Sequence, residues 1–243
     1  MKKIIFIGLL LLTSACGAST PTSASDPATA TTVLTTPKTD PSATADLPTE
    51  TATPEPPALY FTDEFDAAST YWNFFQLGGT QFPALIAQNG VLRIDISATD
   101  TWLIGIHTAH TYSNVFIRAK TTLAPSGSAG LICRYSKENG WYEFNLASNG
   151  DYSILLGEWL SSGVSKYTPI FSGTTDHFTE NASNELGLFC NDNFLSLYVN
   201  NRLVHNMDVT NYGLAEGEIG ITTSSFTELP MSAQFEWVRV DRE

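Results

Sequence analysis

Two Asn-Gly turns within residues 128–156 constrain the fold of this chain more than any other feature of its sequence. Asn139-Gly140 and Asn149-Gly150 separate three runs of aromatic and branched residues. Asn-Gly is the strongest short-range hairpin signal, because both residues tolerate the positive φ that tight turns between twisted strands require. The stretch therefore predicts three consecutive antiparallel strands.

The alternation of side chains along these strands predicts two different faces. In either register that the first turn allows, Arg134 is expected across from Glu143 or Asn145 and on the same face. Arg134, Trp141, Glu143 and Asn145 would then form one polar and aromatic patch. The opposite face is apolar enough to contact a core, as in a sheet buried on one side. Its members are Cys133, Tyr135, Tyr142, Phe144 and Leu146.

The N-terminus has the pattern of a lipoprotein signal peptide. Residues 1–15 join a basic start to an apolar run that is too short to span a bilayer, and small residues precede Cys16. The end of this segment resembles the bacterial lipobox, in which a peptidase cuts before a lipidated cysteine, although Thr13 stands where that family prefers leucine. The resemblance implies that Cys16 is lipidated and that the protein lies on the bacterial cell surface. The alternative is an ordinary secretory leader with a nearby cysteine.

Residues 16–58 are dominated by Thr, Ala, Pro and Ser. Such a composition cannot form a core, and its scattered prolines favour extended conformations. The segment is therefore predicted to be a disordered tether that begins at the lipidated cysteine and holds the rest of the chain away from the membrane.

Residues 59–243 are expected to form one all-β domain. About a dozen short runs of β-branched and aromatic residues alternate with turn residues, and none has a sustained 3.6-residue period. This pattern predicts a two-sheet antiparallel sandwich. The formal net charge of the chain is −13, with scattered acids, which indicates solubility and argues against nucleic acid and anionic lipid as partners. Contact with a membrane is expected through the lipid anchor only.

A set of short segments in the predicted strands carries a resemblance to known domains, namely 63–66 with Trp72, 130–135, 141–144, 195–200 and 235–240. Their order resembles the concanavalin A-like lectin and glucanase jelly rolls, in particular the laminin-G-like and keto-disaccharide-hydrolase-like domains of bacterial surface lipoproteins. The resemblance spans nearly all of residues 60–240, and it implies a jelly roll whose concave sheet often binds glycans.

Two of the three cysteines are left to pair once Cys16 is assigned to the lipid. Cys133 and Cys190 each lie in an apolar run at the parity of neighbouring core residues, and export permits a disulfide. Members of the resembling group often carry a cysteine at both places, which implies a bond. The alternative is two buried free thiols.

A carbohydrate site combines aromatic faces with fixed polar groups on a rigid sheet. Arg134, Trp141, Glu143 and Asn145 provide that combination, and Trp159 with Tyr167 would flank them. The candidate ligand-binding residues are the four residues of the patch and Trp159. The alternative is a solvated sheet face with an Arg-Glu pair. Three further tryptophans are expected to be core residues, namely Trp72, Trp102 and Trp237.

No catalytic residues are assigned. Laminarinase-type hydrolases of this fold carry Glu-x-Asp-x-x-Glu on one strand, and the nearest string, at residues 64–69, lacks the final glutamate. The leading hypothesis is a lipid-anchored, non-catalytic module that binds glycan or another extracellular polymer. The alternatives are a glycoside hydrolase or lyase that uses Glu143 and Glu158, and a structural or adhesion domain with a protein partner.

No cofactor is required by any of these hypotheses. Jelly rolls often hold a structural calcium ion through carbonyl groups and one or two aspartates, which makes calcium a candidate here. Asp63, Asp66 and Asp241, near the two ends of the domain, are the candidate ligands.

Overall fold

The computed structural model describes residues 57–67, 69–124 and 126–242. The predicted signal peptide, Cys16 and the predicted tether up to residue 56 lie outside these ranges. The described part consists of β-strands and one short 3₁₀ turn, so the all-β prediction is confirmed. None of its helical segments is long and apolar enough to cross a membrane.

The strands form two antiparallel sheets that pack face to face. One sheet has eight strands in the order β13-β12-β11-β6-β15-β4-β3, with β1 paired to β15. The other has seven strands in the order β10-β9-β8-β7-β14-β5-β2. The strand bounds are β1 Phe61–Asp63, β2 Trp72–Gly78, β3 Ala84–Gln88, β4 Val91–Ile96, β5 Thr101–Tyr112, β6 Val115–Leu123, β7 Ser128–Ser136, β8 Gly140–Ala147, β9 Asp151–Ser161, β10 Val164–Thr174, β11 Ser183–Asn191, β12 Phe194–Val199, β13 Arg202–Asp208, β14 Gly217–Ser225 and β15 Met231–Asp241. The 3₁₀ turn is Thr210–Tyr212.

The three predicted strands at residues 128–156 are β7, β8 and the first half of β9, in the middle of the seven-stranded sheet. Four of the five residues predicted to face inward do so, because they belong to the buried cluster between the sheets. Those four are Cys133, Tyr142, Phe144 and Leu146. The alternation of apolar residues therefore predicts the core face correctly along β8 and, on β7, as far as Cys133.

The prediction that Arg134 shares a face with Glu143 and Asn145 is wrong. A β-bulge interrupts the β7–β8 register between Cys133 and Ser136, and Arg134 adopts a left-handed conformation with φ 54°. The extra residue shifts the side-chain alternation by one position. Tyr135, predicted to face the core, consequently lies on the outer face with Trp141.

Arg134 instead holds three chain segments together at one end of the sandwich. Its guanidinium donates to the carbonyl oxygens of Leu214 at 2.8 Å, Ser113 at 3.1 Å and Asp192 at 2.5 Å. The side chain is 2% exposed, so these carbonyls replace the water that a surface arginine would contact. Arg134 is a structural residue and takes no part in the predicted patch.

The predicted disulfide between Cys133 and Cys190 is confirmed. The two sulfur atoms are 1.98 Å apart, and both cysteines are fully buried. Cys133 lies on β7 and Cys190 on β11, so the bond joins the two sheets directly across the core.

Candidate functional site

A belt of six aromatic side chains crosses the outer face of the seven-stranded sheet. Neighbouring ring centroids in this aromatic belt are 5.3 to 6.2 Å apart, within the range of favourable aromatic contacts. The belt forms a cluster separate from the core between the sheets. Its members are Phe75, Trp102, Tyr135, Trp141, Trp159 and Tyr167.

Trp141 lies at the base of the belt because its cross-strand partner is a glycine. Trp141 on β8 pairs with Gly157 on β9. A Cβ atom at position 157 would come within 2.1 Å of Cε2 of the indole. The missing side chain lets the indole lie flat against the neighbouring strand, where Trp159 and Tyr167 cover it. Trp141 is fully buried as a result.

Glu143 is a fully buried carboxylate beneath the same rings. It accepts hydrogen bonds from Trp141 Nε1 at 3.2 Å, Tyr167 OH at 3.0 Å and Asn145 Nδ2 at 2.6 Å. Burial raises the pKa of Glu143 to about 7, because desolvation of the charge outweighs these hydrogen bonds, which favour the ionised form.

Three predicted ligand-binding residues therefore lie together, but beneath the surface. Trp141 and Glu143 have no exposed surface, and Asn145 is 6% exposed. Tyr167 from β10 and Trp159 from β9 cover the sheet face that the sequence predicted to be open. These three residues support the rings above them.

The accessible part of this face is a cleft of about 610 Å³ beside the belt, which we call the aromatic cleft. Phe75, Tyr135 and Trp159 line it, so Trp159 is the one predicted ligand-binding residue that borders this cleft. The tip of the β9–β10 hairpin forms one side. The remaining lining residues include apolar Leu77, Ile106 and Leu160 and polar Asn73, Gln76, Thr108, Lys137 and Glu218.

A second cleft, of about 430 Å³, adjoins the aromatic cleft, and we call it the acidic cleft. The two share Tyr135, Lys137 and Glu218. Glu138 and Glu216 line only the acidic cleft. Phe75, Tyr135 and Glu218 are not among the site residues that the sequence predicts. The bulge explains why Tyr135 was missed, since it brings that ring from the predicted core face to the outer face.

The other candidate residues are not brought to this site. Glu158 forms an exposed ion pair with Lys166, with Nζ and Oε2 3.4 Å apart. Asp63 accepts hydrogen bonds from Trp72 Nε1 and the Phe65 amide, and Asp241 pairs with Arg118. Within the residues that the structure describes, no three His, Cys, Asp or Glu side chains are grouped to hold a metal ion. A calcium site built from carbonyl groups and one or two of Asp63, Asp66 and Asp241 stays a prediction.

The three tryptophans predicted to be core residues differ in position. Trp72 packs against the cluster between the sheets, in agreement with the prediction. Trp102 belongs to the aromatic belt. Trp237, on the eight-stranded sheet, lies outside both clusters and carries the guanidinium of Arg239 5.2 Å above its ring.

No protein-family model matches the chain, and no curated protein matches it. Solved structures do match the chain in fold. A lichenase derived from a mouse hindgut metagenome has a TM-score of 0.55 at 9% identity, covering 76% of this chain and 99% of its own. A glycoside hydrolase family 16 endo-glucanase from Bacteroides ovatus has a TM-score of 0.53 at 10% identity, covering 74% and 99%. The Bacillus licheniformis β-glucanase has a TM-score of 0.50 at 13% identity, covering 76% and 98%.

This likeness shows the fold. The described domain is a concanavalin A-like jelly roll, as the resemblance in the sequence implied. Identities of 9% to 13% carry no information about individual site residues.

Proposed function

We propose that this protein is a lipid-anchored cell-surface module that binds a glycan in the aromatic cleft without cleaving it. The observation that carries the proposal is a cleft of about 610 Å³ lined by the half-buried Phe75 and Trp159 rings, with the buried Tyr135 ring beside them. Ligand sites for small molecules commonly occupy about 300–1,000 Å³ and combine aromatic walls with a few fixed polar groups. Sugar rings present C–H faces to aromatic rings and hydroxyl groups to polar side chains.

Two further observations support a glycan and the absence of cleavage. The solved structures that share the fold are named as glucanases, which supports glycans as the class of ligand. Canonical hydrolysis of a glycosidic bond requires two carboxyl groups beside that bond. The two glutamates of the hydrolase alternative do not form such a pair, because Glu143 is sealed beneath Trp141 and Tyr167 while Glu158 forms a surface ion pair with Lys166.

The substitution Trp159→Ala is expected to weaken polysaccharide binding at least about tenfold, because truncating a tryptophan at the centre of a binding site commonly costs about 2 kcal/mol or more. The measurement is affinity gel electrophoresis of the exported protein through gels containing a panel of neutral polysaccharides, followed by calorimetry with the polysaccharide that retards it.

Trp237→Ala is the matched control, because it removes the same ring from the opposite sheet. Its retardation is expected to equal that of the wild type. Unchanged binding in both Trp159→Ala and Phe75→Ala would remove the aromatic cleft as the site. Release of reducing sugar from a retarded polysaccharide would contradict the non-catalytic part of the proposal and favour the hydrolase alternative.

The lipid anchor has its own test. Cells that express the chain are expected to incorporate a clickable fatty acid into the wild type and not into Cys16→Ser, because the diacylglycerol is attached to that thiol. Label that persists in Cys16→Ser, or a wild type without label, would favour an ordinary secretory leader. Cys190→Ser is a control that leaves the lipobox intact.

A further inference from the structure

We infer that the clefts on the seven-stranded sheet select glycan chains by charge, in the order amine-bearing, then neutral, then anionic, and that Glu218 sets this order. The inference deepens the proposed function and rests on it. It names the chemical class of the ligand and a specificity-determining residue that is absent from the predicted patch.

The two clefts form one continuous groove. They share Tyr135, Lys137 and Glu218, so a linear chain that contacts the half-buried Trp159 ring in the aromatic cleft can continue past Glu218 into the acidic cleft. A polymer that fills the aromatic cleft therefore meets the charges of the acidic cleft at its next sugar units.

The charges along this groove are mainly negative. Glu138, Glu216 and Glu218 line the acidic cleft, and Lys137 is the one cation among the described lining residues of both clefts. Glu218 is half-buried, and burial raises its pKa while Lys137 opposes that rise. Burial also raises the pKa of Tyr135, and the nearby charges of Glu218 and Glu138 raise it further. Tyr135 thus lines the acidic cleft together with Glu138 and Glu218.

The backbone fixes Glu218 beside that ring. Glu218 on β14 is the cross-strand partner of Tyr135 on β7, and both strands are irregular there. Gly217 allows the close approach, because a Cβ atom at that position would lie 2.4 Å from the carbonyl carbon of Arg134 and the carbonyl oxygen of Tyr135. The same bulge that turns Tyr135 outward therefore places a carboxylate next to it.

The consequence for recognition follows from electrostatics at short range. A uronate or sulfate group beside Glu218 loses hydration and meets a like charge, whereas an ammonium group meets an opposite charge that is only partly hydrated. A neutral sugar is affected by neither, and it retains its contacts with the aromatic rings.

The test compares hexasaccharides of glucosamine, N-acetylglucosamine and galacturonate by calorimetry on the full-length exported protein. The first two differ only in the acetyl groups that remove the amine charge. One charge pair at about 4 Å in a water-like medium corresponds to about fivefold in affinity, so the glucosamine chain is expected to bind about fivefold or more tightly than its acetylated form. The galacturonate chain is expected to bind more weakly than either, and the preference is expected to shrink as salt is added.

Glu218→Gln is expected to lower the ratio of the glucosamine to the N-acetylglucosamine affinity by about fivefold, for the same electrostatic reason. Glu228→Gln is the matched control with the same change in charge. Glu218 lies near the start of β14, and Glu228 follows the end of that strand at Ser225. The seven residues from Glu218 to Ser225 span roughly 20 Å of extended chain, so Glu228 is far from the acidic cleft. The ratio is expected to be unchanged in this control.

The outcomes separate the two levels of the proposal. Binding of all three hexasaccharides with similar affinity, or an unchanged ratio in Glu218→Gln, would overturn the charge selection and leave glycan binding intact. Tighter binding of the galacturonate chain would overturn the charge selection in the same way. Failure of all three to bind, together with no retardation by any neutral polysaccharide, would overturn the proposed function itself.

Discussion

Replacing Cys133 and Cys190 together by alanine is expected to lower the free energy of unfolding by about 4 kcal/mol, according to the loop-entropy relation for a disulfide. The two cysteines are 57 residues apart in sequence, so the bond removes a large loop from the freedom of the unfolded chain. It also joins β7 to β11 across the buried interface between the sheets. Its loss therefore affects the contact that holds the sandwich together.

Urea denaturation of the exported protein at equilibrium measures this effect. For a domain of this size, each kcal/mol of lost unfolding free energy lowers the Tm by roughly 2–4 °C. The Tm of the double variant is therefore expected to be about 8–16 °C lower than that of the wild type. Reductant is expected to bring the wild type close to the stability of the double variant and to leave the variant itself unchanged. A wild type insensitive to reductant when unfolded and refolded, or a loss below about 1 kcal/mol, would contradict a stabilising role for the bond.

The fold was accessible from the sequence because its signals are local. The two Asn-Gly turns and the alternation of apolar residues predict β7, β8, β9 and the side chains that face the core. The positions of Cys133 and Cys190 in apolar runs placed both thiols inside, and the structure joins them. These features depend on residues that lie close together in the chain.

The site was less accessible because it depends on a bulge and on distant strands. The left-handed conformation of Arg134 cannot be read from alternation, and a shift of one residue exchanges the faces of Arg134 and Tyr135. The bulge is accommodated by Gly217, which approaches it from β14 about eighty residues later in the sequence. Likewise, Tyr167 covers Glu143 from β10, so the burial of the patch depends on a neighbouring strand.

Glu143 shows how a residue can be placed on the predicted face and still have a different role. Its position with Trp141 and Asn145 was predicted correctly, and the three are hydrogen-bonded together. Its complete burial means that the carboxyl group affects stability directly, because the folded state must remove its charge from water. The sign of this effect can be measured.

Glu143→Gln is expected to stabilise the protein above neutral pH by up to about 3 kcal/mol and to have little effect near pH 4, from the linkage between pKa and folding. The pKa of Glu143 is raised from 4.5 to about 7 in the folded state. A group whose pKa is raised by folding contributes most below its unfolded pKa, and that contribution is lost as the pH rises through about 7. Glutamine keeps the shape and an acceptor oxygen but carries no charge, so it escapes this loss.

The measurement is the free energy of unfolding of wild type and variant from urea titrations at several pH values. The difference between them is expected to grow across the interval from pH 4.5 to about 7 and to stay constant above it. Glu158→Gln is the control, because Glu158 is exposed and forms only a surface ion pair with Lys166, and it is expected to leave stability nearly unchanged at every pH. A variant less stable than the wild type at alkaline pH would mean that the hydrogen bonds from Trp141, Tyr167 and Asn145 stabilise the ionised carboxylate enough to offset its burial.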